Sequence, residues 1–268
     1  MKKHIEMMSF MVAIVVLTMA SIASATPVTI YSNDFEGGSG SEALESGTFG
    51  AWSAELNAGL LVTSGIQDVV AGGLSGDGIQ GDGTVGRFLG STITPAGLDM
   101  TDPLATEYEF TFNAYAVSGS TGTSWGGAGF AASGGPHLDF GLYYRRAGNG
   151  GWAFFTGDIG GGTEVIGNQY YLNDREVLGT ITVDLVNNEA RARLDEIGGP
   201  QSHVFAPVSL GGSINGVNSL LAFSDVVAAS DDGADLDNFH LTKTIPEPAT
   251  MGLLMLGLAG MSMFRPKR

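Results

Sequence analysis

The sequence contains no cysteine, and it has only four histidines among its 268 residues. Disulfide bonds are therefore excluded. A zinc site built from cysteine and histidine is excluded as well, because the ligands that it needs are missing. A domain without such cross-links must be stabilised by a hydrophobic core, and a chain of this length is long enough to bury one.

Basic residues are also scarce, with 12 Lys and Arg against 28 Asp and Glu and a formal net charge of −16 at pH 7. Five of the basic residues lie in the terminal segments, so the middle of the chain is more acidic still. A surface of this charge repels nucleic acid and anionic lipid. We therefore predict no nucleic-acid partner. The acidity suits solubility outside the cell, and it also suits binding of divalent cations.

Common catalytic motifs find no supporting context either. Residues 122–126 (GTSWG) have the G-x-S-x-G spacing, but no helix is predicted after them, so a nucleophile triad finds no support. The glycine-rich stretch 72–90 neither follows a buried parallel strand nor opens a helix, so phosphate binding is not predicted.

Glycine, by contrast, is abundant, with 42 residues against 9 prolines. Glycine pairs recur without a fixed period, which excludes a solenoid or a collagen helix. Glycine at short intervals between alternating apolar segments is typical of tight turns. No long amphipathic helix is evident between Thr26 and Ile245. The middle of the chain is therefore predicted to be all-β.

The amino terminus has the pattern of a secretory signal peptide. A basic start is followed by the apolar run Met7–Ala20 and by small residues at Ala23 and Ala25. This order predicts that residues 1–25 form a signal-peptide helix, that cleavage follows Ala25, and that the Sec translocon is the export partner.

The carboxyl terminus combines three features. Pro246 and Pro248 flank Glu247 and favour an extended backbone. An apolar run of 16 residues, 249–264, follows and would span about 24 Å as a helix. The last residues are basic, as expected for a cytoplasmic end. The hydrocarbon core of a bilayer is roughly 30 Å thick, so the run is short for a permanent anchor. A marginal transmembrane anchor is the alternative interpretation.

This order of proline kink, apolar run and basic end resembles the PEP-CTERM sorting signal of exported bacterial proteins. The resemblance covers residues 245–268 and implies that Pro246, Glu247 and Pro248 form the sorting motif. It implies processing by an exosortase, transient anchoring in the inner membrane through residues 249–264, and a final location at the cell surface or outside the cell. It leaves residues 26–244 as the exported domain.

The clearest element of that domain is a hairpin at residues 179–196. A two-residue turn at Asn187 and Asn188 would place apolar residues on one face and the opposite charges Asp184 and Arg191 on the other. The apolar partners in this register are Leu185 with Ala190, Val183 with Ala192, and Ile181 with Leu194.

Alternating segments predict further strands. Residues 137–157 form a second hairpin with a turn at 147–151, and residues 107–117 form a strand. Residues 118–135 are predicted to be a loop. Many short strands with one polar face predict a two-sheet antiparallel jelly-roll sandwich. A signal-peptide helix and a C-terminal hydrophobic helix flank it.

The ends of the domain, 33–37 (NDFEG) and 235–241 (DLDNFHL), resemble those of concanavalin-like, LamG-like and carbohydrate-binding-module jelly rolls. The resemblance implies that the first and last strands lie close together beside a structural Ca²⁺. The ligands so implied are Asp34, Glu36, Asp235 and Asp237. The alternative is that these carboxylates are solvated charges.

Sugar binding would need an exposed aromatic ring with polar neighbours. Trp125 is the first candidate, because residues 121–129 have the composition of a loop. Trp152 and Tyr143 are second choices, and Trp152 is more simply interpreted as a core residue.

The leading hypothesis is a non-catalytic domain that binds or adheres to extracellular polysaccharide. A second hypothesis is a glycoside hydrolase that uses Glu107 and Glu109, which share a strand face at a separation that permits acid catalysis. A third is a purely structural surface protein. Under the polysaccharide-binding and structural hypotheses, the protein is not expected to be an enzyme.

Overall fold

The computed structural model describes residues 25–36, 42–44, 47, 50–56, 61–64, 77–80, 87–116, 125–132, 137–145, 151–158, 172, 174–210, 214, 216–226 and 234–246. No helix in this part of the chain is long and apolar enough to cross a membrane. Both predicted terminal helices lie outside the described residues. The described strands, in chain order, are β1 (Thr26–Asn33), β2 (Glu42–Ala43), β3 (Ser53–Leu56), β4 (Leu61–Ser64), β5 (Asp77–Gln80), β6 (Arg87–Ile93), β7 (Glu107–Ala116), β8 (Trp125–Ala132), β9 (His137–Arg145), β10 (Gly151–Asp158), β11 (Arg175–Asp184), β12 (Glu189–Glu196), β13 (Ser202–Val204), β14 (Val208–Ser209), β15 (Val217–Val226) and β16 (Asp235–Ile245).

These strands form two antiparallel sheets, which confirms the all-β jelly-roll prediction. Sheet A has the order β13-β12-β11-β7-β16-β5-β4-β2, with β1 beside β16 and β14 beside β12. Sheet B has the order β10-β9-β8-β15-β6-β3. The first and last strands are therefore neighbours in sheet A, as the resemblance implied.

Strand β7 shows why these segments form half-buried strands. Tyr108, Phe110, Phe112 and Ala114 are fully buried, whereas the residues between them are only half-buried. A period of two places the apolar set on one face of the sheet, where it joins the core between the sheets. Tyr115, which the alternation placed with the polar residues, is buried as well.

Aromatic rings fill the centre of that core. Phe239 of β16 lies 5.2 Å from Phe35 and 5.2 Å from Phe110, measured between ring centroids, in edge-to-face geometry. Its ring is also 6.0 Å from that of Trp52. Phe110 in turn meets Phe130 of sheet B at 5.9 Å. The two sheets are thus joined through one connected group of rings.

The first predicted hairpin forms, but its register differs from the prediction by two residues. The loop spans residues 185–188, and only Asn188 has a positive φ, 56°. Asp184 accepts hydrogen bonds from the backbone N–H groups of Val186 at 3.0 Å and Asn187 at 2.8 Å, which stabilises the wider loop. The observed partners are Asp184 with Glu189, Val183 with Ala190, Ile181 with Ala192, and Gly179 with Leu194.

A shift of two residues keeps each side chain on its own face of the sheet. The apolar residues of both strands are therefore buried as predicted. Arg191 now lies diagonally from Asp184, with 3.9 Å between the charged groups, and pairs more closely with Glu189.

The second hairpin is confirmed, since β9 and β10 pair with Trp152 opposite Tyr144. The predicted loop at residues 118–135 is wrong for its second half, because residues 125–132 form β8 in the interior of sheet B. The sequence of β8, WGGAGFAA, has few of the β-branched residues that indicate a strand.

The surroundings of Gly127 show why this strand needs glycine. A Cβ atom built there would lie 2.2 Å from the carbonyl oxygen of Leu142 and 2.7 Å from Cα of Tyr143 on the neighbouring strand β9. These are backbone atoms, which cannot rotate away. The close approach of β8 to β9 therefore requires a residue without a side chain.

We expect Gly127→Ala to lower the free energy of unfolding by about 3 kcal/mol, because β8 and β9 must separate to accept the methyl group. Gly198→Ala is the control. Its added Cβ would meet nothing within 4 Å, but φ is +76° there, so it should cost only about 1 kcal/mol. Chemical denaturation of both variants measures the difference. Equal losses would contradict the steric explanation.

Candidate functional site

Sheet B carries a second apolar cluster on the face opposite the main core. Its members are all buried, at most 3% exposed: Ala131, Tyr143, Ala153, Phe155, Leu221 and Phe223. The rings of Tyr143 and Phe155 meet edge to face at 5.2 Å. Gly127 lies opposite both Tyr143 and Phe223, so β8 contributes no side chain between these two rings.

The register of sheet B brings together three residues that are far apart in sequence. Trp125 is opposite Arg145 on β9 and opposite Asp225 on β15. By strand alternation all three positions belong to the same face as Gly127 and Tyr143. The side chains of the three residues lie outside the described part of the structure. Their backbone positions place an aromatic, a cationic and an anionic residue side by side at one end of three adjacent strands.

Sequence reasoning assigned Trp125 to a loop, whereas it is the first residue of β8. It did not identify Arg145 or Asp225 as neighbours. Only the order of the strands relates these residues, and no local motif could have indicated it.

The second-choice aromatic residues have no accessible ring. Trp152 is fully buried in the main core, where its Nε1–H donates to the carbonyl oxygen of Leu172 at 3.3 Å. This confirms the simpler interpretation of Trp152 as a core residue. Tyr143 is 1% exposed. As placed here, neither ring can stack on a sugar, so we remove both residues from the proposed site.

The segment 33–37 is organised around one buried ring. Phe35 has a left-handed backbone with φ of 55°, and its N–H donates to Oδ1 of Asn33 at 2.8 Å. This turn directs the Phe35 ring into the core, where it packs against Phe239. Asp34 and Glu36 flank the buried ring. The motif that resembles other jelly rolls therefore has a packing role in this chain.

Asp237 is the most strongly perturbed carboxyl group that the structure describes. It is 2% exposed and accepts hydrogen bonds from the backbone N–H and the side-chain amide of Asn238 at 2.6 and 2.9 Å. Burial raises its pKa to about 7, against an ordinary value of 3.8. The hydrogen bond from the Asn238 backbone lowers the pKa, and the carboxylates of Glu36, Asp34 and Glu176 raise it.

The four acidic residues expected at a Ca²⁺ site are only partly brought together. Asp34 and Glu36 act electrostatically on Asp237, and Asp235 is buried on the same strand as Asp237. Among the residues described here, no three acidic or histidine side chains form a group that could hold a metal ion. Calcium binding therefore stays a prediction.

Glu107 and Glu109 lie on the face of sheet A away from the core. Both are half-buried. Burial raises the pKa of Glu107, the carboxylates of Glu109 and Asp184 raise it further, and Arg191 lowers it. A carboxyl group with a raised pKa beside a second carboxylate is a feature of acid catalysis.

Comparison with known proteins identifies the carboxyl-terminal segment. Residues 244–268 match the model of the PEP-CTERM protein-sorting motif. The chain carries a PEP-CTERM sorting motif. The motif implies processing by an exosortase and export to the cell surface. No curated protein sequence matches the chain.

Solved structures confirm the fold of the domain that precedes the PEP-CTERM motif. The CBM2 module of the evolved Dit of Lactobacillus casei BL23 phage J-1 is similar with a TM-score of 0.54 and 11% identity, over 84% of this chain and 99% of that one. The lectin UEA-II, solved in complex with galactose, is similar with a TM-score of 0.53 and 9% identity, over 81% and 99%. At such identities the likeness shows the jelly-roll fold alone.

The environment of Asp237 predicts a pH dependence of stability. The folded state binds the proton of this carboxyl group more tightly than the unfolded state does, so its contribution to the free energy of unfolding is full below about pH 4 and is lost as pH rises to about 7. Asp237→Asn removes this loss. We expect the variant to melt roughly 5 °C above the unaltered protein at pH 8 and to show little difference at pH 4.

Melting curves from pH 4 to pH 8 measure this difference. Asp195→Asn is the control, because Asp195 is only partly buried and pairs with Arg193 on the outer surface of β12. It should keep the pH dependence of the unaltered protein. A melting temperature of Asp237→Asn that follows the unaltered protein at every pH would contradict the assignment.

Proposed function

We propose that the exported domain binds polysaccharide without catalysing a reaction. The observation that carries the proposal is the register that aligns Trp125 with Arg145 and Asp225 across β8, β9 and β15. An aromatic ring can stack on the apolar face of a sugar, while charged neighbours bind its hydroxyl groups. The same fold occurs in a carbohydrate-binding module and in a lectin solved with galactose, which supports this choice among the functions of jelly rolls.

The charge distribution favours a neutral glycan. The basic side chains that the structure describes all pair with carboxylates within the domain: Arg175 with Glu196, Arg191 with Glu189, Arg193 with Asp195 and Lys243 with Asp102. These cations are thus already neutralised. With a net charge of −16, the chain would repel a polymer of uronic acids at ordinary ionic strength. Neutral hexose polymers carry no such penalty.

We expect the purified domain, residues 26–244, to bind at least one neutral polysaccharide in a pull-down or on a glycan array. Trp125→Ala should weaken binding at least tenfold, because the stacking surface is lost, and Asp225→Asn should weaken it less. Leu104→Ala is the surface control, since Leu104 is 65% exposed and lies in the segment between β6 and β7.

Three results would count against this function: no binding to any glycan, equal binding by Trp125→Ala, or tighter binding of uronate polymers than of neutral ones. Self-association with rising concentration and no glycan binding would instead favour a purely structural surface protein.

We propose that the chain reaches the cell surface in successive steps. The Sec translocon exports the chain, cleavage after Ala25 removes residues 1–25, and the apolar run 249–264 holds the protein in the inner membrane. Exosortase then acts at Pro246, Glu247 and Pro248. The PEP-CTERM match supports the last step.

The raised pKa of Glu107 beside Glu109 favours glycoside hydrolysis as a second candidate function. In that case Glu107 acts as the acid, and Glu107→Gln abolishes the release of reducing ends from β-glucans, as does Glu109→Gln. Thr111→Ser, two residues further along the same face of β7, is the control. If no substrate is cleaved, or if both Gln variants keep full activity, this function is excluded.

Calcium binding at Asp34, Glu36, Asp235 and Asp237 can be tested by the same melting measurements. A bound cation favours the charged form of Asp237, so millimolar Ca²⁺ should raise the melting temperature more at pH 8 than at pH 5. Asp237→Asn should lose the increase. An unchanged melting temperature at both pH values would remove the site.

A further inference from the structure

The last strand of the domain runs into the sorting motif. Strand β16 ends at Ile245, whereas the PEP-CTERM match begins at residue 244. Only Pro246, Glu247 and Pro248 separate the end of the strand from the apolar run. The sequence therefore contains no flexible spacer between the folded sheet and the segment that an exosortase must recognise.

Strand β16 lies in the interior of sheet A. It has β7 on one side and β5 on the other, and β1 also pairs with it. Leu236, Phe239 and Leu241 are fully or almost fully buried in the main core. Since the strand carries part of the core, its complete withdrawal would unfold the domain, and only its carboxyl-terminal end can open at moderate cost.

An ion pair fixes that end. Lys243, 9% exposed, donates to the carboxylate of Asp102, and its Nζ lies 5.9 Å from the centre of the Tyr108 ring. The hydrogen bond with Asp102 raises the pKa of Lys243 and lowers that of Asp102. The pair therefore stays charged throughout the neutral range.

The segment that carries Asp102 is itself well ordered by hydrogen bonds. The Leu104 N–H donates to Oδ1 of Asp102 at 2.9 Å, and Asp99 binds the N–H and hydroxyl of Thr101 at 2.8 and 2.6 Å. The Tyr108 hydroxyl donates to the carbonyl oxygen of Asp99 at 2.6 Å. Lys243 is therefore attached to a rigid group of turns and not to a mobile loop.

A processing enzyme that binds an extended substrate competes with these contacts. Backbone groups of a residue in a sheet interior are used by the neighbouring strands, so an enzyme cannot bind them at the same time. We propose that folding of β16 restricts exosortase access to the PEP-CTERM motif, and that the Lys243–Asp102 ion pair determines how readily the end of the strand opens. In this proposal Lys243 and Asp102 are positioning residues for processing. The proposal rests on the sorting motif and is independent of glycan binding.

The test follows processing of the full-length chain by pulse-chase labelling in a bacterium that contains the matching exosortase. The main variant inserts about ten glycine and serine residues between Ile245 and Pro246. The insertion separates Pro246, Glu247 and Pro248 from the end of β16 and leaves the sequence of the strand unchanged. We expect this variant to be processed about tenfold faster than the unaltered chain, because cleavage of a transiently opened segment follows the population of the open form.

Two point variants test the ion pair. Lys243→Met keeps the apolar stem and removes the charge, and Asp102→Asn removes the partner. Both should speed processing several-fold, and neither should speed it further when the spacer is present. Ile181→Val is the control for global stability, because it removes one methyl group from the core on β11, a strand that is separated from β16 by β7 and does not contribute to the ion pair.

Equal processing rates for the unaltered chain and the spacer variant would overturn the proposal. It would also be overturned if Ile181→Val sped processing as much as Lys243→Met at a matched loss of melting temperature, since global unfolding would then be the step that exposes the motif. Slower processing of Lys243→Met would mean that the enzyme recognises Lys243 directly, which also contradicts a restraining role.

Discussion

The fold depends on the packing of aromatic rings around Phe239. This one side chain of β16 contacts rings from the turn after β1, from the segment before β3 and from β7. Phe110 extends the same group to Phe130 across the space between the sheets. Without disulfide bonds, the rings supply the cohesion that cross-links provide in many small exported domains. The motifs at both ends of the domain contribute to this core, because each supplies one of its central rings.

Charged side chains lie at the periphery of this core, and their contribution to the stability of the fold differs from site to site. On the outer surface of sheet A, carboxylates are paired with arginines and contribute little to stability individually. At the end of the sandwich, Asp237 is buried among other carboxylates and keeps its proton up to about neutral pH. The first arrangement favours solubility. Around Asp237, the carboxylates repel one another at neutral pH. A proton or a cation bound there would therefore stabilise the fold more than at the outer surface.

The parts of the structure that sequence patterns predicted are those that depend on local alternation. The buried faces of β7, β11 and β12 follow directly from a period of two, and the sorting motif is contiguous in sequence. The hairpin register was wrong by two residues, because such a shift leaves both faces unchanged and only the hydrogen bonds of Asp184 distinguish the two loops. Strand β8 was missed because glycine leaves no apolar pattern. The neighbours of Trp125 were missed because they depend on strand order, which no local segment encodes.

The pairing of β1 with β16 also has a consequence for the order of events during synthesis. Thr29 Oγ1 and His240 Nε2 lie 3.5 Å apart although 211 positions separate them along the chain. A topology with such distant partners closes late and folds slowly. A ribosome must therefore deliver nearly the whole polypeptide before the sandwich can form. Until then the nascent chain remains unfolded, and a narrow membrane channel can pass only an unfolded chain.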